Sequence, residues 1–277
     1  MVRVAKQKYV RSTLNTGQLY LLDLVYKYRF ASRQLLAESL GVKPENGLYE
    51  KLEILVKHGY LAKRFDKQLK LLGVPAAYFL TPKGLRALQN VAGHDHITDS
   101  VIKLSYKDKT VSQSFIQHTL DVYRYTNALR RAYPDLKIFT KRDMSQYEYF
   151  PEQSPDAFLS LPTNDPMQPK RFFFDLVPDA TPRYVLDRRI AHYSEFFDEG
   201  GWGVANSELP VILLVAEKGT AEKRMHRYVR LQLNRSDMED LQVFTTTTAA
   251  ISHMFDEKAI WTDIQDTDDL LSLELLS

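Results

Sequence analysis

Apolar residues in the first third of the chain recur every three or four positions, in three short blocks. Leu19, Leu22, Val25, Tyr26 and Phe30 put one buried stripe on a helix over residues 16–30, with Thr16 as its cap. Ser32 caps a second helix whose Leu35, Leu36 and Leu40 face inward, and Gly41 stops it. Pro44 stands near the start of a third, where a missing N–H costs nothing, and Leu48, Leu52, Leu55 and Val56 form its stripe before Gly59. Short helices with tight turns predict a helix-turn-helix. The period then changes. Residues 60–65 and 76–80 read as the strands of a hairpin, residues 66–75 as its basic tip, and Thr81-Pro82 opens a further helix with Leu85 and Leu88 on its apolar face.

Beyond residue 92 the pattern lengthens. Residues 93–110 are polar and read as a linker, and His94-Asp95-His96 within them reads as loop, since a metal would need a third ligand nearby. A helix over residues 112–133 carries Phe115, Leu120, Val122, Tyr123, Leu129 and Ala132 on one broad face. Strand-like runs follow at 136–140, 156–161, 172–177, 210–216 and 241–247, with helices predicted over 185–197 and 220–233. Short turns make the first three strands an antiparallel meander, whereas strands joined through helices are parallel. Gly200-Gly201-Trp202-Gly203 reads as a turn whose indole plugs the sheet edge. Arg224, Arg227 and Arg230 line one helix side, a solvated face with a phosphate contact as the alternative. The predicted class is α/β (α+β): an N-terminal helix-turn-helix domain, then a mixed β-sheet flanked by helices.

Length and charge sharpen this. At 277 residues with 44% hydrophobic content the chain is globular and long enough for two domains. The predicted division is 1–92, a linker over 93–110, a sheet domain over 111–262 and an acidic tail over 263–277. No cysteine occurs, which excludes disulfides, thiolate metal sites and cysteine nucleophiles. Apolar runs fall far short of the roughly 20 residues of a spanning helix, and residues 1–11 lack the apolar core of a leader, so a cytoplasmic protein away from membranes is expected. Residues 1–110 hold 19 Lys/Arg against 9 Asp/Glu, and residues 111–277 hold 18 against 26. A basic first third suits a polyanion partner, because each neutralised phosphate releases condensed counterions.

The strings HGYLAKRF and AYFLTPKGLRAL resemble the wing and closing helix of winged-helix regulators. That resemblance implies duplex DNA as partner, with the third helix in the major groove. Asn46, Tyr49 and Glu50 lie off its buried stripe, together with Lys51 and Glu53; Asn pairs with adenine and Glu accepts from cytosine. Backbone contacts would come from Lys63, Arg64, Lys67 and Lys70 on the wing and from Arg3, Lys6, Lys8 and Arg11 on the leading arm.

The order helix, three strands, helix, strand resembles the core of the PD-(D/E)XK nuclease-like fold, with Pro155-Asp156 opening the second strand and Asp175 on the third. In such sites two carboxylates hold Mg2+ or Mn2+ and a lysine orients the attacking water. Here Asp156 and Asp175 would be the catalytic and metal residues, but Val177 stands where the lysine belongs, and the guanidinium groups of Arg188 and Arg189 cannot act as bases. The competing assignment is a buried ion pair between Asp175 and Arg188 or Arg189, with Tyr193 as core packing.

As a whole the chain resembles the replication-relaxation family of mobile-element proteins, over residues 15–250. The matching residues are His118-Thr119, Pro155-Asp156-Ala157, Phe172-Phe173-Phe174-Asp175 through Thr181, and Arg189 with Tyr193. Arg189 stands where lysine is usual, and the stretch from Asp175 to Thr181 is one residue long. The resemblance implies plasmid or conjugative-element biology, with DNA bound near an origin of replication or transfer. The expected protein is a sequence-specific double-stranded DNA-binding accessory factor of a relaxosome or replication origin, without turnover and with no cofactor required. It would work beside a relaxase or replication initiator and through homodimerisation. The alternatives are a divalent-metal endonuclease or nickase and a protein-interaction module, the latter drawing on Glu50, Glu53 and the acidic tail.

Overall fold

A computed structural model describes residues 14–65, 73–165, 167–204, 208–236 and 241–276. Arg3, Lys6, Lys8, Arg11, Lys67 and Lys70 lie outside the described residues. The chain divides into two compact units, Met1–Val111 and Ser112–Ser277.

In the first unit α1 spans Thr16–Tyr28, α2 Arg33–Leu40 and α3 Asn46–Lys57. The first cap is Asn15 rather than Thr16: its side chain accepts from the Gln18 backbone N–H at 2.9 Å, and Gln18 returns a bond to the Asn15 backbone at 3.1 Å. Gly41 ends α2 in the left-handed region, at φ 63°. β1 (Leu61–Arg64) pairs antiparallel with β2 (Ala77–Leu80), and Ala31 bridges to Tyr78 to add a third, one-residue rung. Thr81 caps α4 (Pro82–Gln89), which presses on the hairpin so closely that a Cβ on Gly84 would stand 2.2 Å from the Tyr60 carbonyl oxygen. Leu22, Val25, Phe30, Leu36, Leu52, Leu55, Leu85 and Leu88 are fully buried, so the stripes read from the sequence meet in one core.

Residues 93–110, expected as a linker, are folded. They carry α5 (Asp99–Leu104) and a 3-10 turn (Ser105–Lys109), bury Ile97 and Ile102, and anchor Asp108 to Arg29, whose Nη2 lies 2.7 Å from the carboxylate. Buried apolar side chains, a part-buried ion pair and hydrogen bonds such as that from Gln89 to the Ile97 carbonyl hold a segment that composition alone reads as polar.

The second unit is a seven-stranded mixed sheet in sequential order. α6 (Gln113–Ala132) leads into β3 (Lys137–Thr140), a single-turn helix α7 (Lys141–Met144), β4 (Ala157–Leu161) and β5 (Lys170–Val177), the three strands antiparallel. α8 (Arg183–Asp198), β6 (Val211–Ala216), α9 (Gly219–Ser236) and β7 (Val243–Thr247) add the parallel strands β6 and β7. The central β6, VILLVA, is buried throughout, as a strand covered on both faces must be. Period-two alternation in β5 sends Phe172 and Phe174 to the core shared with α6, and Phe173 to the core shared with α8 and α9. Trp202 is buried against Phe150, Phe158 and Phe173.

The segment expected as an acidic tail also joins the sheet. After α10 (Thr248–His253), β8 (Trp261–Asp263) and β9 (Leu270–Leu271) extend it antiparallel, with Leu273 and Leu276 buried beyond. Most of its acids face solvent, while Ile264, Leu273 and Leu276 supply the packing. Among the described residues no helix is long and apolar enough to cross a membrane.

Candidate functional site

The register of β4 on β5 pairs Ala157 with Phe174, and one step further sets Asp156 beside Asp175. The two carboxylates cross-strap the strands: the Asp156 backbone N–H donates to Asp175 Oδ1 at 3.1 Å, and the Leu176 N–H donates to Asp156 Oδ2 at 3.1 Å. Both residues are buried, at 5% and 1% exposure, so two like charges sit side by side away from water and require cations.

Three basic side chains and one phenol, from three helices, surround the pair. Thr140 and Asp143 form a capping box that opens α7, and Lys141 at its first position reaches Asp156 Oδ1 at 2.8 Å. His118, on the second turn of α6, places Nε2 2.9 Å from Asp156 Oδ2. On α8, Arg189 and Tyr193 are one turn apart and share a face. Arg189 binds Asp175 Oδ1, and the Tyr193 hydroxyl donates to Asp175 Oδ2 at 2.7 Å.

Burial pushes the Asp156 carboxyl up, but the Lys141 charge and the His118 hydrogen bond outweigh it and hold the group well below the usual carboxylate range. His118 is raised by its hydrogen bond to Asp156, against the opposing effect of burial. Asp175 is raised by burial, with the Arg189 charge opposing and the Asp156 charge adding. Arg189 moves up because of Asp175, and burial drives the Tyr193 phenol well above its ordinary value.

A divalent ion does not fit this arrangement. All four carboxylate oxygens already accept from protein donors, and Lys141 and Arg189 balance both negative charges. Mg2+ demands octahedral oxygen ligands and retains several waters, which two saturated carboxylates, one of them 1% exposed, do not offer. Among the described residues no group of three or more His, Asp or Glu side chains is arranged to hold a metal.

In the first unit α3 buries Leu48, Leu52 and Leu55 and leaves Tyr49, Glu50 and Lys51 exposed. Asn46 is the first residue of that helix. The Arg33 guanidinium lies 5.6 Å over the Tyr49 ring. Lys63 grips both oxygens of Glu53 at 2.8 Å, so hairpin and helix are joined and one of the two acids on the helix is neutralised. Burial and Glu53 push the Tyr78 phenol, which donates to that carboxylate, up to about 12. Arg64 turns to the Lys109 and Val111 carbonyls at 2.8 and 3.2 Å. Lys63 and Arg64, read from the sequence as phosphate contacts, are thus engaged internally. His94, in the His94-Asp95-His96 run, pairs with Asp23 at 2.8 Å.

Sequence reasoning brought Asp156 and Asp175 together and offered Arg189 as a partner, but it missed Lys141. The available signal was the Thr140–Asp143 capping box directly after a predicted strand, which fixes a lysine at the strand end.

No curated protein and no solved structure matches the chain. The family model described as replication-relaxation matches residues 22–212, which include His118, Lys141, Asp156, Asp175, Arg189 and Tyr193, and ties the chain to replication and plasmid-related processes. With more than two thirds of its length in that match, the chain belongs to the replication-relaxation family.

Proposed function

We propose that the chain is a DNA-binding accessory protein of a plasmid or conjugative element. Its first unit acts as a winged helix that sets α3 in the major groove of a duplex near an origin. Its second acts as a nuclease-like frame without turnover. The observation that carries this assignment is the clear outer face of α3: Tyr49, Glu50 and Lys51 face solvent beside a hairpin whose Lys63 cancels the charge of Glu53. The Ala31 rung on the hairpin and the tight seat of α4 at Gly84 support the same architecture. The protein would work in the cytoplasm as a homodimer, beside a relaxase or replication initiator.

The test is a gel shift of origin-region duplex by the full chain without divalent metal, across a salt series. Lys51→Ala and Lys67→Ala should each reduce the slope of log affinity against log salt by about one. Tyr49→Ala should weaken specific binding more than non-specific binding. Salt-insensitive binding, or no preference for any plasmid segment, would contradict the assignment.

Lys141 favours one competing reading, because it brings an ammonium to Asp156 where position 177 lacks one. A nuclease would have to open that pair and release the Asp175–Arg189 pair before any metal could enter. Plasmid cleaved in Mg2+ or Mn2+, and left intact by Asp156→Ala, would establish it.

A further inference from the structure

The second unit carries a concentration of positive charge apart from the carboxylate cluster. α8 and α9 cover the same face of the sheet, and the start of α8, the residue before α9 and the first half of α9 expose Arg183, Lys218, Lys223, Arg224 and Arg227. Of the nearby acids, Asp187, Asp179 and Glu222 are engaged, whereas Glu217, next to Lys218 in the chain, is exposed and Asp263 is near enough for its charge to act on His226. Asp187 is held by Arg183 at 3.2 Å, Asp179 lies 3.4 Å from Lys218, and Glu222 turns inward to accept from Thr245 at 3.0 Å. Among the described residues no carboxylate pairs with Lys223, Arg224 or Arg227. Arg230, on the same helix, is instead turned inward to the Ile264 carbonyl at 3.0 Å.

Between the two helices lies a cavity of about 160 Å³ whose lining includes Thr181, Arg183, Arg224 and Tyr228. The Arg183 and Arg227 guanidinium groups stand 4.6 and 5.8 Å from the centre of the Tyr228 ring, so both cations lie beside one aromatic side chain. Beside Arg183, Tyr184 is 71% exposed, an aromatic face with little packing inside the unit.

We propose that this crest binds single-stranded nucleic acid, with phosphates on Lys223, Arg224 and Arg227 and one base stacked on Tyr184. A cationic groove beside an exposed ring is the pairing that holds a single strand, because phosphates and base faces are presented together. A duplex keeps its base faces inside the helix and gives Tyr184 nothing to stack on. The site lies in a different unit from α3 and stands whether or not α3 reads a duplex.

The experiment measures the full chain by fluorescence anisotropy against labelled oligothymidylate and against duplex of equal length. Tyr184→Ala should weaken single-strand binding about tenfold. Arg224→Gln with Arg227→Gln should lower its salt slope by about 1.4. Duplex binding should survive both changes, whereas Lys51→Glu should reverse the pattern. No single-strand binding by the unaltered chain, or binding indifferent to these variants, would overturn the proposal. So would equal losses on duplex and single strand with no effect of Tyr184→Ala, which would make the crest a duplex backbone contact.

Discussion

Arg189→Met tests the account of the carboxylate cluster most directly. Methionine keeps much of the aliphatic stem, so packing on α8 is largely preserved, while Asp175 at 1% exposure loses its only ion-pair partner among the described residues. At an effective dielectric of about 20, two unit charges about 4 Å apart attract by about 4 kcal/mol. Removing one partner of a buried pair costs about 3–5 kcal/mol, because the other charge stays behind uncompensated. The Arg189 side chain is 30% exposed, so water screens part of the attraction and the lower figure of about 3 kcal/mol applies. That is a large share of the roughly 5–15 kcal/mol that stabilises a domain, and it should lower Tm by about 6–12 °C in a unit of this size. The pH dependence has a definite sign. Asp175, already raised by burial, rises further without the guanidinium, and a carboxyl above its unfolded value costs stability until it protonates. The deficit measured by urea unfolding should therefore shrink from roughly pH 8 to roughly pH 5. Asp175→Asn combined with Arg189→Met should cost less than the two single changes together, by roughly 1–3 kcal/mol. A loss below about 1 kcal/mol, or a deficit that grows as pH falls, would refute the assignment of Arg189 as the counter-ion.

Two further outcomes follow from the same geometry. Gly84→Ala would gain about 1 kcal/mol from helix propensity alone, yet its Cβ would meet the Tyr60 carbonyl oxygen at 2.2 Å and Leu80 Cδ2 at 2.8 Å. A net loss of roughly 1–3 kcal/mol is expected in thermal unfolding, and a higher Tm would contradict the seat of α4 on the hairpin. His118, raised above its ordinary 6.5 by Asp156, contributes stability that is complete below that value and lost as pH rises through its folded value. His118→Gln should thus cost more at roughly pH 6 than at roughly pH 9, and an NMR titration midpoint at or below 6.5 would count against the bond.

The strands were legible as short apolar runs and the long helices by their three-to-four repeat: the run of three phenylalanines in β5 serves two cores, and the α6 stripe repeats for five turns. Pairing Asp156 with Asp175 needed only the meander and its register. Lys141 was hidden because the β3–β4 connection was read as a short turn, whereas it includes a helical turn that carries the ammonium to a carboxylate fifteen residues on. In 93–110 and 263–277 charged residues masked sparse apolar ones. Ile97 and Ile102, and Leu273 and Leu276, find partners only in the folded unit, and Asp108 is explicable only once Arg29 is beside it.

Placement also changes what segment charge can predict. Residues 111–277 carry eight more acids than bases, which argues against a polyanion partner if charges are simply summed. Summation fails because charges differ in what they already touch. Lys141 and Arg189 are occupied by Asp156 and Asp175, and Lys63 by Glu53. A base bound to an internal carboxylate presents little field to a ligand, and withdrawing it leaves a buried charge behind. Arg224 and Arg227 have no such tie among the described residues and can be engaged without breaking an ion pair inside the protein. The acids that make the second unit negative in total include Asp263, Asp266, Asp268 and Asp269, on and beside β8 and β9. The middle of α9 approaches that segment, since Arg230 donates to the Ile264 carbonyl at 3.0 Å and the Asp263 charge acts on His226. Only acids more than a Debye length of about 8 Å away are screened at physiological salt. Local charge without an internal partner, rather than the sum over a unit, is therefore the quantity that decides where a phosphate can sit.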